Sequence, residues 1–393
     1  MYRKTYAEID HETLTNNIKE IIKKYPDYKY YFGIVKNNAY HHGIKIVNAL
    51  KEGGINYFAV SSLEEAMELR KYNIDTPVLI LEPIESEYIY DCITNNITIT
   101  IENFEQIKEI NDMKLAYELK IHLKIDTGMN RIGFKDSKEL EKTVKVIKEN
   151  EKLYLEGIYS HFATSGIVDK NWDKQLKNFE ALTQNINLSE IPIVHLGRSL
   201  TLVNHEKIKF CNGIRLGIIM YGFAQSKPID KTFKSKIRNW KKHRIQKKNK
   251  ISETTEQNNL NLSTAFSLFT HVMSIRKINK NEPIGYNANY NSKKDGYILT
   301  LPIGYADGVD KSFQYVSINN QKYPIIADSM DMLMVFSDTK IQIGTKVEIF
   351  GKNISVSEVT SKLNSNAYHL FNQIQNRVTR VHKNHQEQEE TNY

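Results

Sequence analysis

Residues 57–81 read YFAVSSLEEAMELRKYNIDTPVLIL. Tyr57–Val60 is a short run of aromatic and aliphatic side chains, the composition of a strand. SSLEEAMELRKYN follows with apolar residues at helical spacing; Ser61 or Ser62 suits the N-cap, and acids fill the next turn. Pro77–Leu81 is a second apolar run. A strand, a helix and a strand in this order form a parallel unit, because a parallel return requires a crossover.

The unit recurs in both directions. Further strand candidates are Tyr31–Val35, Ile97–Ile101, Ile121–Ile125, Gly157–Tyr159, Ile193–Leu196 and Ile214–Leu216. NFEQIKEINDMKLAYEL carries another helical pattern, with Asn103 at its cap position. Eight strand-then-helix units within residues 1–225 suit a (β/α)8 barrel, with a doubly wound open sheet as the structural competitor. The units end on Lys36, Ser61, Glu82, Glu102, Asp126, His161, Ser199 and Gly217. In a barrel these groups converge on the C-terminal face, where such folds hold their active sites. Eight strand ends running into solvated loops would explain the polarity equally well.

Residues 226–262 break the pattern and read as a basic, polar insertion or linker. From 263 to 382 the texture changes. FSLFTHVMSI, GYILTLPIG, YPIIA, DMLMVF and KVEIFG are strand-like with short turns between, so a mostly β second domain is expected. Residues 383–393 are polar and read as a frayed tail; residues 1–10 are candidates to pair with the second domain.

The 393 residues suffice for two sizeable domains, and 40% hydrophobic with 25% charged residues is ordinary for a globular protein. Cys92 and Cys211 are the two cysteines, far apart and in no ligand spacing. Neither a metal site nor a disulfide framework is expected, and a reducing compartment fits. MYRKTYAEID lacks the apolar core of a signal peptide, and no apolar run reaches the ~18 residues of a membrane span. The expected location is the cytoplasm. The formal charge is +8, but residues 231–250 hold ten Lys/Arg and no acid, so without them the chain stands at −2. A charge run with few aromatics and no recognition motif reads as a solvated loop, so neither nucleic acid nor membrane is an expected partner.

Residues 35–43 read VKNNAYHHG. Lys36 closes the first apolar strand of the series, which would aim its amine into the barrel mouth; by position alone it reads first as a solvated lysine. Desolvation favours a lysine's neutral amine, the form that Schiff-base chemistry needs. The segment resembles VKANAYGHG of alanine racemases, where the lysine holds pyridoxal phosphate (PLP). Further blocks resemble that family in the same order: TYAEID near the start, LKIDTGMNRIG at 123–133, GIYSHFAT at 157–164 and GIRLGIIMYG at 213–222. FTHVMSIRKI, IGYNANY, LPIGYADG, MDMLMVF, SNAY and NRVTRVH follow. The resemblance spans residues 2–382 apart from the insertion.

The resemblance implies a PLP-dependent racemase that interconverts L- and D-alanine by a two-base mechanism. Lys36 would be the Schiff-base lysine and the acid–base group on one face of the α-carbon. Tyr286, in IGYNANY, would serve the other face from a partner subunit, implying a homodimer with a shared site. Two positioned groups are what racemisation requires. A tyrosine ionises near ~10 without neighbours, so cations are needed around a catalytic one. Arg215 would face the pyridine nitrogen. Ser199, the amides of Gly217 and Ile218, and the hydroxyls of Tyr40 and Tyr368 would hold the phosphate. Arg131 would bond the phenolic oxygen and help orient the substrate carboxylate. Lys124 matches a lysine often carbamylated in the family. His161 would bond near Arg215 or stack beside the cofactor; a satisfied core histidine is the plainer alternative. Tyr305, Met330 and Asp331 would shape the substrate entrance. D-Alanine made this way would feed bacterial cell-wall synthesis.

Four positions depart from the family pattern: Arg198 stands for a usual Asn, Asn287 and His41 for usual glycines, and Ser329 for a common cysteine. Arg198 would either tighten the grip on the phosphate or displace Arg215's electrostatic role. Three other functions share part of this pattern: a serine or broad-specificity racemase, a related decarboxylase, and a non-catalytic PLP-binding homologue. Tyr286 in its segment argues against the decarboxylase, and a second, β-rich domain argues against a single-barrel binding protein.

Overall fold

A computed structural model of the chain describes residues 2–164, 170–223, 260–288 and 290–384. The basic run 231–250, nearly all of the insertion and residues 385–393 lie outside the described residues.

The chain opens with β1 (Tyr6–Asp10) and α1 (His11–Lys24). Eight parallel strands follow: β2 (Tyr30–Ile34), β3 (Tyr57–Val60), β4 (Val78–Ile80), β5 (Ile97–Ile101), β6 (Leu119–Lys124), β7 (Leu153–Tyr159), β8 (Ile193–His195) and β9 (Gly213–Leu216). They run in order from β2 to β8, with β9 beside β2. The remaining edges meet through Asn212 N–H donating to Val194 O at 3.1 Å, Arg215 N–H to Gly197 O at 3.3 Å, and a parallel bridge from Arg198 to Arg215. All eight strand candidates lie on these strands, and the expected barrel is the fold.

The helices between strands bury one stripe each, as helical periodicity requires. In α1 the buried residues include Leu14, Ile18 and Ile21; in the helix Ser137–Glu149 they include Leu140, Val144 and Ile147. Each such side chain contributes ~1.5–3 kcal/mol by leaving water. The expected caps differ in chemistry. Asn103 accepts from Gln106 N–H at 2.9 Å, whereas Ser62 takes the cap position of Leu63–Lys71 without a side-chain bond. The Glu65 carboxylate instead binds Ser61 N–H at 2.7 Å.

β1 stands apart from the barrel. It lies between β10 (Phe266–His271), antiparallel, and the last strand, Thr379–Lys383, parallel, in a nine-stranded sheet. The chain's opening and closing strands therefore seal one β layer beside the barrel. No helix among the described residues is long and apolar enough to cross a membrane.

The turn after β2 is unusual. Asn37, Asn38, Ala39, Tyr40 and His41 all have φ between 50° and 61°, forming one left-handed turn closed by Ala39 N–H to Val35 O at 2.8 Å and His41 N–H to Asn37 O at 3.0 Å. Left-handed residues other than glycine cost roughly 1–2 kcal/mol each, least for asparagine. Two glycine-replacing departures, His41 at φ 61° and Asn287 at φ 58°, keep this backbone. Asn38 is exposed, so its substitution tests the backbone alone. Asn38→Gly is expected to preserve or raise the melting temperature, and Asn38→Val to cost about 1–2 kcal/mol. The reverse order in thermal melts would exclude a left-handed turn.

Candidate active site

The strand ends of the barrel carry a concentration of cations. Lys36 begins the left-handed turn at the end of β2, and Asn37 N–H donates to Glu65 Oε1 at 2.5 Å. One carboxylate thus ties the turn bearing Lys36 to the end of β3.

Arg215, on β9, is 3% exposed. Its Nη1 donates to His195 O at 2.6 Å and His195 Nδ1 at 2.8 Å; its Nη2 donates to Ser160 O at 2.7 Å and Leu196 O at 2.9 Å. These bonds occupy four of the five guanidinium N–H groups. The fifth, on Nε, has no hydrogen-bond partner among the described residues. Burial draws the guanidinium down to about 10.

Lys124, the last residue of β6, is 4% exposed, with Nζ 4.9 Å from the centre of the Tyr159 ring. Arg215 lies over the same ring at 5.4 Å. Burial, reinforced by Arg215 and Arg131, draws Lys124 down to about 7 against weak opposition from Asp126. Asp126 is spent on the loop: its Oδ1 accepts from Gly128, Met129 and Asn130 N–H at 2.9, 2.9 and 3.0 Å. His161 is held well below the usual imidazole range by burial and by the charges of Arg215, Arg198, Lys124 and Arg131. Arg131 is exposed.

Gly217 marks a second feature. Its N–H donates to Ser199 Oγ at 2.9 Å. A Cβ there would lie 3.3 Å from the Tyr40 hydroxyl, 3.7 Å from Ser199 Oγ and 3.8 Å from the Tyr368 hydroxyl, so glycine leaves the cradle open. Burial holds the Tyr368 and Tyr40 phenols above their ordinary range, and the Arg198 charge opposes that rise at both. Arg198 Nη2 donates to Thr164 O at 3.1 Å, while its buried Nε has no partner among the described residues. Three hydroxyls, backbone amides and a partly unsatisfied guanidinium around one open point suit an anion.

The second-domain candidates Tyr286, Tyr305, Met330 and Asp331 are all exposed. Tyr286 is 74% exposed, Met330 54% and Tyr305 51%. Tyr286 sits on the turn Tyr286–Ala288, and its ring meets no described residue in a hydrogen bond or ring contact. Asp331 is held by Arg377 at 2.8 Å, which also reaches the buried Asp307 at 3.1 Å. Ser329 closes its own turn through Met332 N–H at 3.2 Å.

Tyr159, Glu65 and His195 escaped the sequence reading as site residues. The available signal was weak: polar or aromatic groups at the ends of, or just after, barrel strands.

The N-terminal domain of alanine racemase matches residues 9–225 and its C-terminal domain residues 265–382. The chain belongs to the alanine racemase family. It is 32% identical to the alanine racemase of Methanococcus maripaludis over 392 residues, covering 96% of this chain and 98% of that protein. Among solved structures, the alanine racemase from E. faecalis superimposes with a TM-score of 0.85 at 27% identity, covering 97% of this chain and 99% of that one. That of Bacillus anthracis with bound L-Ala-P gives 0.82 at 29% identity, covering 98% and 96%.

Burial of Lys124 has a thermodynamic consequence. Its folded value, about 7, lies below its ordinary 10.5. Between these values the unfolded chain binds the extra proton, so stability rises with pH. The penalty is full below pH 7 and gone above about 10.5. In CO2-free buffer, Lys124→Met is expected to raise the melting temperature most at pH 7, with the gain shrinking towards pH 10. A gain independent of pH would show that the amine is not desolvated.

Proposed function

We propose that the chain interconverts L-alanine and D-alanine, with PLP held at the barrel mouth. The observation that carries this reading is the fit between an anion cradle and a lysine at neighbouring strand ends, with one free Arg215 N–H beside them. Tyr40, Ser199, Gly217, Ile218 and Tyr368 would hold the phosphate, with Arg198 as an added cation. Lys36 would hold the cofactor through its amine. When bound, PLP supplies the electron sink that lets an amino acid's α-carbon release its proton.

The protein's own groups do the rest. From one face, the Lys36 amine would take or return the α-proton. From the other, the partner subunit's Tyr286 would do the reverse, and net inversion needs one transfer on each face. Tyr286's exposure supports a site completed by a second copy, with Tyr305, Met330 and Asp331 at the substrate entrance. Arg215 Nε–H would donate to the pyridine nitrogen. A guanidinium keeps its own protons and has no acceptor for a pyridinium N–H, so the nitrogen would stay largely unprotonated and the sink only moderate, which disfavours transamination. Arg131 would orient the substrate carboxylate, and His161 would border it.

A Lys124 amine that is substantially neutral near pH 7 can add CO2, forming an N–C bond and releasing a proton. The resulting carbamate would turn a repelled cation into an anion able to hold Arg131. The two buried free thiols, Cys92 and Cys211, fit a cytoplasmic setting, where D-alanine would serve as a wall precursor.

The test is a chiral assay with PLP, L-alanine and an L-serine arm. Wild type is expected to form D-alanine, and Lys36→Ala to abolish it. Faster turnover of L-serine would move the assignment to a serine racemase. A shared site makes a second demand. Unfolding and refolding inactive Lys36→Ala with inactive Tyr286→Phe would give hybrids with one intact site, and about a quarter of wild-type activity for random pairing. No recovery, despite hybrid dimers being present, would exclude a tyrosine supplied in trans.

A further inference from the structure

A line of buried polar groups runs from Arg215 down into the barrel, below the layer that faces the cofactor site. Arg215 Nη1 meets His195 Nδ1 at 2.8 Å; His195 Nε2 meets His122 Nδ1 at 3.0 Å; His122 Nε2 meets Glu156 Oε2 at 3.2 Å. Glu156 Oε2 also accepts from the Tyr57 hydroxyl at 2.6 Å and the Thr98 hydroxyl at 3.0 Å. Both histidines are fully buried. Barrel interiors are ordinarily packed with branched apolar side chains, so a polar line through one has a structural cost that its bonds must offset.

The direction of every bond follows from its ends. The Glu156 carboxylate only accepts, so a neutral His122 keeps its proton on Nε2 and leaves Nδ1 bare to accept from His195 Nε2–H. His195 Nδ1 is then bare in turn and accepts from the guanidinium, which has no acceptor of its own. Both rings are held neutral by burial, against the pull of Glu156 on His122, and the three donors hold the Glu156 carboxyl well below its usual range despite burial. Packing locks the ring planes. His195 is stacked between Phe32 at 4.4 Å and Tyr159 at 4.8 Å, and a Cβ on Gly157 would sit 2.4 Å from the His122 ring. The rings cannot turn to find other partners.

We propose that Glu156 is a positioning residue for Arg215: it sets the tautomers of His122 and then His195, so that Nδ1 of His195 accepts from the guanidinium. Of the four bonds that aim Arg215, three go to backbone carbonyls, which cannot change role. The fourth depends on a tautomer. With the proton on His195 Nδ1, two N–H groups would face each other at 2.8 Å and the guanidinium would have to move, taking its free Nε–H with it. The consequence for turnover rests on the racemase reading; the tautomers do not.

The experiment is 15N NMR of histidine rings in the full chain, with His122→Gln and His195→Gln for assignment. Both rings are expected to show Nδ1 bare and Nε2 protonated at neutral pH. Glu156→Gln keeps an acceptor for His122 and is expected to retain the pattern and most turnover. Glu156→Leu removes the acceptor; it is expected to give mixed tautomers and a loss in kcat on the order of ten-fold, larger than any change in KM. A protonated Nδ1 on either ring of the wild type overturns the proposal. So does a Leu variant that keeps both pattern and turnover. If the Leu variant does not fold, the wild-type ring spectra decide alone, and a protonated Nδ1 on either ring refutes the proposal. Correct tautomers in a protein without racemase activity would count against the proposed function and not against the line of hydrogen bonds.

Discussion

A guanidinium inside a barrel is the constraint on which this structure turns. Arg215 is almost fully buried, and leaving its donors unmet in such a place would cost several kcal/mol. The fold meets four of them with the ends of β7, β8 and the loops just beyond. Strand closure and arginine satisfaction are thus one event, since Arg215 also carries the backbone bond to Gly197 that joins β9 to the far edge. The negative charge that answers it lies further down, on Glu156, with two neutral imidazoles between.

The same economy of anions shapes the mouth. Lys124, Arg215 and His161 are each drawn down first by burial and then by the cations around them. Asp126 is committed to three amides, and Glu65 to the backbone on either side of the Lys36 turn. A region so short of free carboxylates is prepared for an anionic ligand. Its geometry agrees: hydroxyls and amides gather where Gly217 has no side chain. Arg198, the departure nearest this point, stands with the tyrosine hydroxyls of the cradle, while Arg215 keeps its own four bonds.

Most of the barrel was legible because its elements are local. Runs such as Tyr57–Val60 and Ile97–Ile101 announce strands by composition, and stripes such as Leu140, Val144 and Ile147 announce helices by period. The blocks holding Lys36, Ser199, Gly217 and Tyr368 could be picked out through resemblance, and the structure brings the last three around one point. The left-handed turn was not legible. Two asparagines after a strand permit it, but only the Glu65 carboxylate and the 35–39 hydrogen bond show that it is adopted.

By itself the sequence determined the alternation of strand and helix, the lysine at a strand end, and the change to a β-rich second half. These are properties of neighbouring residues, written in period and composition. Tertiary structure alone decided that the opening strand joins the last one, that Tyr286 faces outward, and that Arg215 keeps one N–H without a partner among the described residues. It also decided the proton positions on His122 and His195. Those depend on which donor meets which acceptor across strands as much as 73 residues apart, and no local pattern encodes the direction of a hydrogen bond.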